Sequence, residues 1–176
     1  MRRSTRIVHL LPGLAVFLIQ TASAASRVDI APITFSAALI ARLHNSLGND
    51  EIPALQQLVS SAVNKSMGSK ACGKASSIKI QIEDAAPTHP TRWQMANDPS
   101  MDFLRSKSVG GADLTGRLLD ADGQSLATVK YRRYASDIHT ISMAADAWAD
   151  ARLTVDQFAS ELAGACRAQE DARAKP

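Results

Sequence analysis

The sequence predicts an α+β fold: a single domain whose antiparallel β-sheet has two helices packed on one face. Three observations carry that expectation. Ile78, Ile80 and Ile82 alternate with Lys79, Gln81 and Glu83, the period-two pattern of a strand with one wet face. Segments 112–119 and 126–134 flank Asp120-Ala121-Asp122-Gly123-Gln124, where Asp and Gly supply the local hydrogen bonds and positive φ of a tight reversal. Two stretches, one on either side of these strands, repeat apolar residues every three or four positions, as helices with one buried face do.

The chain opens with Arg2, Arg3 and Arg6, an apolar run from Ile7 to Ile19, and Ala22-Ser23-Ala24. A basic start, an apolar core short for a bilayer and small residues at a cut site predict a cleavable signal peptide over residues 1–24. The mature protein is therefore expected in the periplasm, with full secretion as the alternative. No cysteine follows the apolar run and no second apolar stretch approaches membrane-span length, so neither a lipid anchor nor a membrane span is expected. The whole chain has 20 Lys and Arg against 17 Asp and Glu. Removing the three leader arginines leaves a formally neutral protein. A nucleic-acid partner loses its main support, because neutralising phosphates supplies most of such binding.

In the mature part, Val28, Ile30, Ile33 and Phe35 surround Pro32 in a short extended segment suited to a sheet edge. Leu39, Leu43 and Leu47 follow at helical spacing until Gly48 and Asn49 stop them. Asn49 or Asp50 then caps a helix with Pro53 in its first turn and Ile52, Leu55, Val59, Ala62, Val63 and Met67 on one face, ended by Gly68. After the 77–84 strand, residues 85–108 read as one long irregular connection, because Pro87, Pro90 and Pro99 interrupt any regular element. Such a loop is uncommon in a compact domain unless it is functional or folds over something. Trp148, Ala151, Val155, Phe158, Ala159, Leu162, Ala165 and Cys166 share one stripe of a helix from about Asp146 to about Arg167. A start at Thr154, with Gln157 completing a capping box, leaves Trp148 off that stripe. The domain spans residues 25–168, and 169–176 form a polar tail expected to fray.

Cys72 and Cys166 are an even pair in an exported chain, which predicts a disulfide. A redox role would favour a Cys-x-x-Cys pair, and the sequence has none.

The run Gly110-Gly111-Ala112-Asp113-Leu114 through Asp120-Ala121-Asp122-Gly123-Gln124-Ser125-Leu126, with Trp148-Ala149-Asp150-Ala151 and Phe158-Ala159, looks like a pattern in uncharacterised families of small bacterial periplasmic proteins and lipoproteins. The resemblance covers the C-terminal hairpin and helix. It implies an α+β periplasmic domain and carries over no catalytic residue. The chain departs from many such proteins in lacking a lipobox cysteine.

Catalytic and metal chemistry find little foothold. His44, His89 and His139 have no second His or Cys at ligand spacing and read as ordinary surface or loop histidines, so no metal and no cofactor are expected. Asp120-Ala121-Asp122-Gly123 begins like a calcium loop but lacks a bidentate Glu at the required distance, which makes it a turn. Lys130-Tyr131-Arg132-Arg133-Tyr134 interleaves cations with aromatics, and strand alternation puts Lys130, Arg132 and Tyr134 on one face. Arg92, Trp93, Met101, Phe103 and Leu104 gather bulk on the long connection. They form an apolar partner patch if exposed together and finish the core beside Trp148 if folded back.

These two groups form the candidate interaction surface of a non-catalytic binding module, whose partner is an envelope protein or polymer. The alternative is a small hydrolase or inhibitor-type module on envelope polymers, in which Asp137 orients His139 as a base and Ser108, Ser136 or Ser142 serves as nucleophile. A third reading is a subunit that pairs edge to edge through its first strand or its hairpin.

Overall fold

The computed structural model describes residues 28–68 and 72–174; the leader expected at residues 1–24 lies outside them. The elements run β1 (Asp29–Ile30), β2 (Thr34–Phe35), α1 (Ala37–Arg42) continuing into a π turn (Leu43–Leu47), α2 (Glu51–Met67), β3 (Ser77–Ala86), α3 (Arg92–Asn97), β4 (Gly111–Leu119), β5 (Ser125–Tyr134) and α4 (Ala149–Ala174). The class is α+β, as expected. β3, β4 and β5 form an antiparallel meander, and β1 and β2 both add to the free edge of β3 in parallel. That parallel edge was not legible from the residues of 25–35. It follows from the connection, because α1 and α2 form the long crossover that a parallel pair requires.

The alternation of β3 sets the two faces. Ile78, Ile80 and Ile82 stand opposite Leu118, Gly116 and Leu114, and these stand opposite Ala127, Val129 and Tyr131 of the hairpin. α2 and α4 pack together over this side, with Val59, Val63, Phe158 and Leu162 fully buried between helices and sheet. Gly116 lets α4 approach closely, since a Cβ there would lie 2.8 Å from Phe158 Cζ.

Helix ends follow local chemistry. Ser36 caps α1 by accepting from the Leu39 N–H at 3.1 Å, and its hydroxyl donates to the Glu83 carbonyl at 2.6 Å. α2 differs from the expected side-chain cap: Asp50 already has helical dihedrals, φ −64° and ψ −16°, and makes no capping bond. The preceding turn feeds the helix instead, with Glu51 N–H donating to Gly48 O. Gly68, at φ +57°, closes α2 in the left-handed region that glycine tolerates.

α4 begins at Ala149 and runs to Ala174, beyond the Gln169 at which the tail was expected to fray. From Ala165 to Ala174 there is no Gly or Pro, and Ala, Arg, Gln and Glu are good helix formers, so nothing local stops it. Trp148 sits just before the helix, buried, with its indole N–H donating to Glu51 Oε2 at 2.7 Å. Cys72 and Cys166 form the expected disulfide, 94 residues apart in sequence with Cα atoms 4.8 Å apart.

The 85–108 connection is more ordered than its prolines suggested. β3 continues to Ala86, and Thr91 with Gln94 forms a reciprocal capping box that starts α3. Thr88 donates to Asp150 Oδ2 at 2.9 Å and accepts from the Asp150 N–H at 3.0 Å. The other Asp150 oxygen accepts from the Ser142 N–H, so a single buried carboxylate joins the connection, the segment after β5 and the start of α4.

His89 departs from the surface reading. It is 2 % exposed, stacks on Phe103 with ring centroids 4.8 Å apart, and its Nδ1 lies 2.8 Å from the Phe103 carbonyl. A carbonyl only accepts, so Nδ1 carries the proton, and Nε2 is left buried without a partner among the described residues.

Candidate functional site

Among the described residues, no helix lies over the second face of the sheet. Strand register assembles it from side chains distant in sequence: Lys79 opposite Arg117 opposite Thr128, and Gln81 opposite Thr115 opposite Lys130. Thr34 stands beside Gln81 on the parallel edge. Between β1 and β2 the strand pairing is interrupted: the Ala31 N–H still donates to the Ile78 carbonyl, the register breaks at Pro32-Ile33, and the Thr34 hydroxyl donates to the Ile80 carbonyl at 3.2 Å. This break in the edge walls one side of a groove of about 490 Å³, lined by Pro32, Thr34, Lys79, Gln81, Thr115 and Arg117 among others. Its volume lies within the range of small-molecule sites.

Charge on this face separates into two zones. At one end Asp84 is matched. Arg42 pairs with Asp84 Oδ1, the Tyr134 hydroxyl donates to Asp84 Oδ2 at 2.9 Å, and Arg132, opposite Asp113, lies over the Tyr134 ring at 5.5 Å. Burial, and next the hydrogen bond to Asp84, push the Tyr134 hydroxyl well above the ordinary tyrosine range. Around the groove the cations are unmatched. Lys79, Arg117 and Lys130 make no ion pair among the described residues. The nearby Glu83 accepts from the Gln81 amide at 3.2 Å, and Asp29 sits at the sheet edge beside Ser77.

The candidate residues read from the sequence fall on two separate surfaces. Lys130, Arg132 and Tyr134 share the uncovered face, as alternation indicated, with Lys130 next to the groove and the other two in the matched zone. No residue of 87–108 lines the groove. Arg92 and Trp93 are exposed on α3, with the Trp93 side chain against Gly48. Met101 and Phe103 are half-buried, and Leu104 is 67 % exposed. The connection is thus split: Phe103 and His89 fold inward, while Trp93 and Leu104 face solvent.

The Asp137 and His139 pair takes a different form from an oriented base. Both residues are exposed, and Asp137 Oδ1 accepts from the His139 backbone N–H at 2.7 Å, closing a turn. Ser136 lies in that same turn beside Thr140. Ser108 donates to the Pro87 carbonyl at 2.6 Å, and Ser142 gives its backbone N–H to Asp150. Asp120 Oδ1 likewise accepts from the N–H groups of Asp122 and Gln124, which spends it on the hairpin turn. No group of three or more His, Cys, Asp or Glu placed to hold a metal occurs among the described residues.

Arg117 and Thr115 were not singled out from the sequence, and Pro32 was read there only as the mark of an edge segment. The alternation of β3 puts Lys79 and Gln81 on the wet face, but only the β3–β4 register brings Arg117 beside them.

No family model matches this chain, and no curated protein matches it. Among solved structures, the chain is similar to the crystal structure of protein XCC0632 from Xanthomonas campestris, of the DUF330 family. The two share 15 % identity over 85 % of this chain and 88 % of that one, with a TM-score of 0.47.

Proposed function

We propose that this protein is a non-catalytic binding module of the bacterial cell envelope, exported to the periplasm, and that its uncovered sheet face is where it meets its partner. One observation carries the reading: a three-stranded face with no covering helix among the described residues holds a groove of about 490 Å³ beside three cations without an ion pair there. The disulfide fits an oxidising compartment. Among the described residues no helix is long and apolar enough to cross a membrane. Trp93 and Leu104 give the module a second, smaller contact surface.

Site-specific photo-crosslinking in the full chain, expressed in a Gram-negative host, tests this. A photoreactive residue at Lys79 or Thr128 on the uncovered face is expected to give a discrete adduct that the same probe at Gln157, on the outer side of α4, does not. Equal adducts from all three positions, or none from the first two, would end the reading. Mass spectrometry of the periplasmic fraction checks export, with a chain starting at Ala25 expected and an intact cytosolic chain with free thiols as the contrary result.

A further inference from the structure

We propose that the groove is a phosphate-ester site, taking a phosphomonoester group on a small neutral polar body; this rests on the reading of the uncovered face as the binding surface. The first step is electrostatic. Lys79 and Arg117 stand directly opposite on neighbouring antiparallel strands, an arrangement in which like charges repel. Lys130, opposite Thr115, adds a third positive charge, diagonal to Arg117 on one side and to Asp113 on the other. No carboxylate pairs with any of the three among the described residues. The chain without its leader is formally neutral, so this concentration of cations is local and not a by-product of a basic composition. Asp84, farther along β3, is already engaged by Arg42 and the Tyr134 hydroxyl, which leaves the Lys79 and Arg117 pair for an anion from outside.

The second step is geometry. All three cations project from strands of one sheet, so their bases are held without a loop closing. Thr115, 8 % exposed, lines the groove together with Lys79 and Arg117 and brings a hydroxyl to it. An arginine fork with a lysine point charge suits a tetrahedral oxyanion. Three positive charges favour a dianion over a monoanion, so a phosphomonoester fits better than a carboxylate. The groove also exceeds what the anion alone would fill: the wall from Ala31 and Pro32 offers apolar contact, and the Gln81 carbonyl oxygen is free to accept because its amide nitrogen is engaged with Glu83. Those features suit a glycerol-sized or sugar-sized body bearing hydroxyl groups.

The group can come from a soluble phosphomonoester or from a phosphomonoester headgroup on a lipid surface, and the test separates the two. The oxidised protein is titrated with glycerol 3-phosphate while backbone amide signals are followed, with glycerol and sodium sulfate as controls. Independently, it is mixed with phosphatidylcholine vesicles with and without phosphatidic acid and floated. Saturable shifts at Thr34, Gln81 and Thr115 identify a soluble ligand; flotation that needs phosphatidic acid identifies a lipid headgroup. In either arm K79Q/R117Q is expected to weaken binding at least tenfold. The same variant is expected to unfold at an equal or higher urea concentration at low salt, since it relieves repulsion, so loss of binding cannot be assigned to loss of fold. Shifts of equal size in wild type and variant, shifts matched by sulfate, or no response to either probe would overturn the proposal. If adducts at Lys79 and Thr128 persist while both probes fail, the face remains a binding surface and only the phosphate assignment falls.

Discussion

Removing the disulfide tests the architecture most directly. Cys72 follows α2, Cys166 lies on the buried side of α4, and the bond closes a loop with a sequence separation of 94. The chain-entropy relation gives about 4.7 kcal/mol at 25 °C for a loop of that length. Small domains have about 5 to 15 kcal/mol in total, so the bond carries a large share of it. The folded state should barely notice the loss, because the turn after Cys72 packs on α4 by itself: Gly73 sits so close to the Gln169 backbone that a Cβ there would come within 2.5 Å of it. The effect is therefore expected in the unfolded chain. Urea unfolding of the oxidised protein and of C72A/C166A, followed by fluorescence of the buried Trp148, measures it. With an m-value of about 2 kcal/mol/M, the midpoint is expected to fall by about 2 M, with m rising as the unlinked chain expands. A loss below about 1 kcal/mol with unchanged m would refute the reasoning, since it would mean that the unfolded chain is as confined without the bond as with it.

Three further outcomes follow from named contacts. Gly116→Ala pushes a methyl group against Phe158 Cζ and Leu162 Cδ1 in a filled core, and should destabilise by about 1 to 3 kcal/mol; urea melts of the single variant and of G116A/F158L, where the smaller side chain should recover part of the loss, check it. Tyr134 has its ionisation displaced upward in the folded protein, so the unfolded chain gives up this proton first and stability should fall as pH rises past about 10; Y134F should lose less stability than wild type between pH 10 and 11 in thermal melts, and parallel curves would argue against the shift. His89→Ala removes the bond to Phe103 O and the ring stack, and should cost about 1 to 3 kcal/mol; hydrogen exchange should quicken at the Ser108 amide, which donates to Thr88 O, and not at β4 amides.

The elements with strong periodicity were readable from the residues alone. β3, the β4–β5 hairpin, α2 and the stripe of α4 lie where alternation and three-four spacing put them, because in each case one face is buried and burial imposes a period. Two kinds of feature escaped. The capping box of α3 was hidden by Pro87, Pro90 and Pro99, although Thr91 and Gln94 are spaced for it; three prolines draw attention to interruption, and a six-residue helix has too few positions to show a period. His89 and Asp150 were hidden for the opposite reason. A polar residue is buried when tertiary partners satisfy it, and Thr88, Phe103 and Ser142 are partners from three parts of the chain. The candidate site was half legible on the same grounds. Alternation named the wet faces of β3 and β5, but joining Lys79, Arg117 and Lys130 requires β4 between them in a particular register, and a one-residue slip would turn Arg117 to the other side.

The break at Pro32 links the fold to the site. An unbroken edge strand would leave a row of unpaired backbone groups along its own outer side, open to another chain. Here the edge is two short strands joined by Ala31-Pro32-Ile33, and proline has no N–H to offer a new neighbour. The opposite edge, β5, carries Lys130, Arg132 and Arg133, and Thr154 of α4 donates to the Arg133 carbonyl at 3.0 Å. Both edges are thus poor templates for strand addition, which directs recognition to the face between them. The same excursion that blunts the first edge supplies Ala31 and Pro32 as a wall of the groove beside Lys79 and Thr34. Replacing the Ala31-Pro32-Ile33 excursion with a regular strand would be expected to fill the groove and to create an aggregating edge together, so the site and the solubility of the sheet depend on one irregularity.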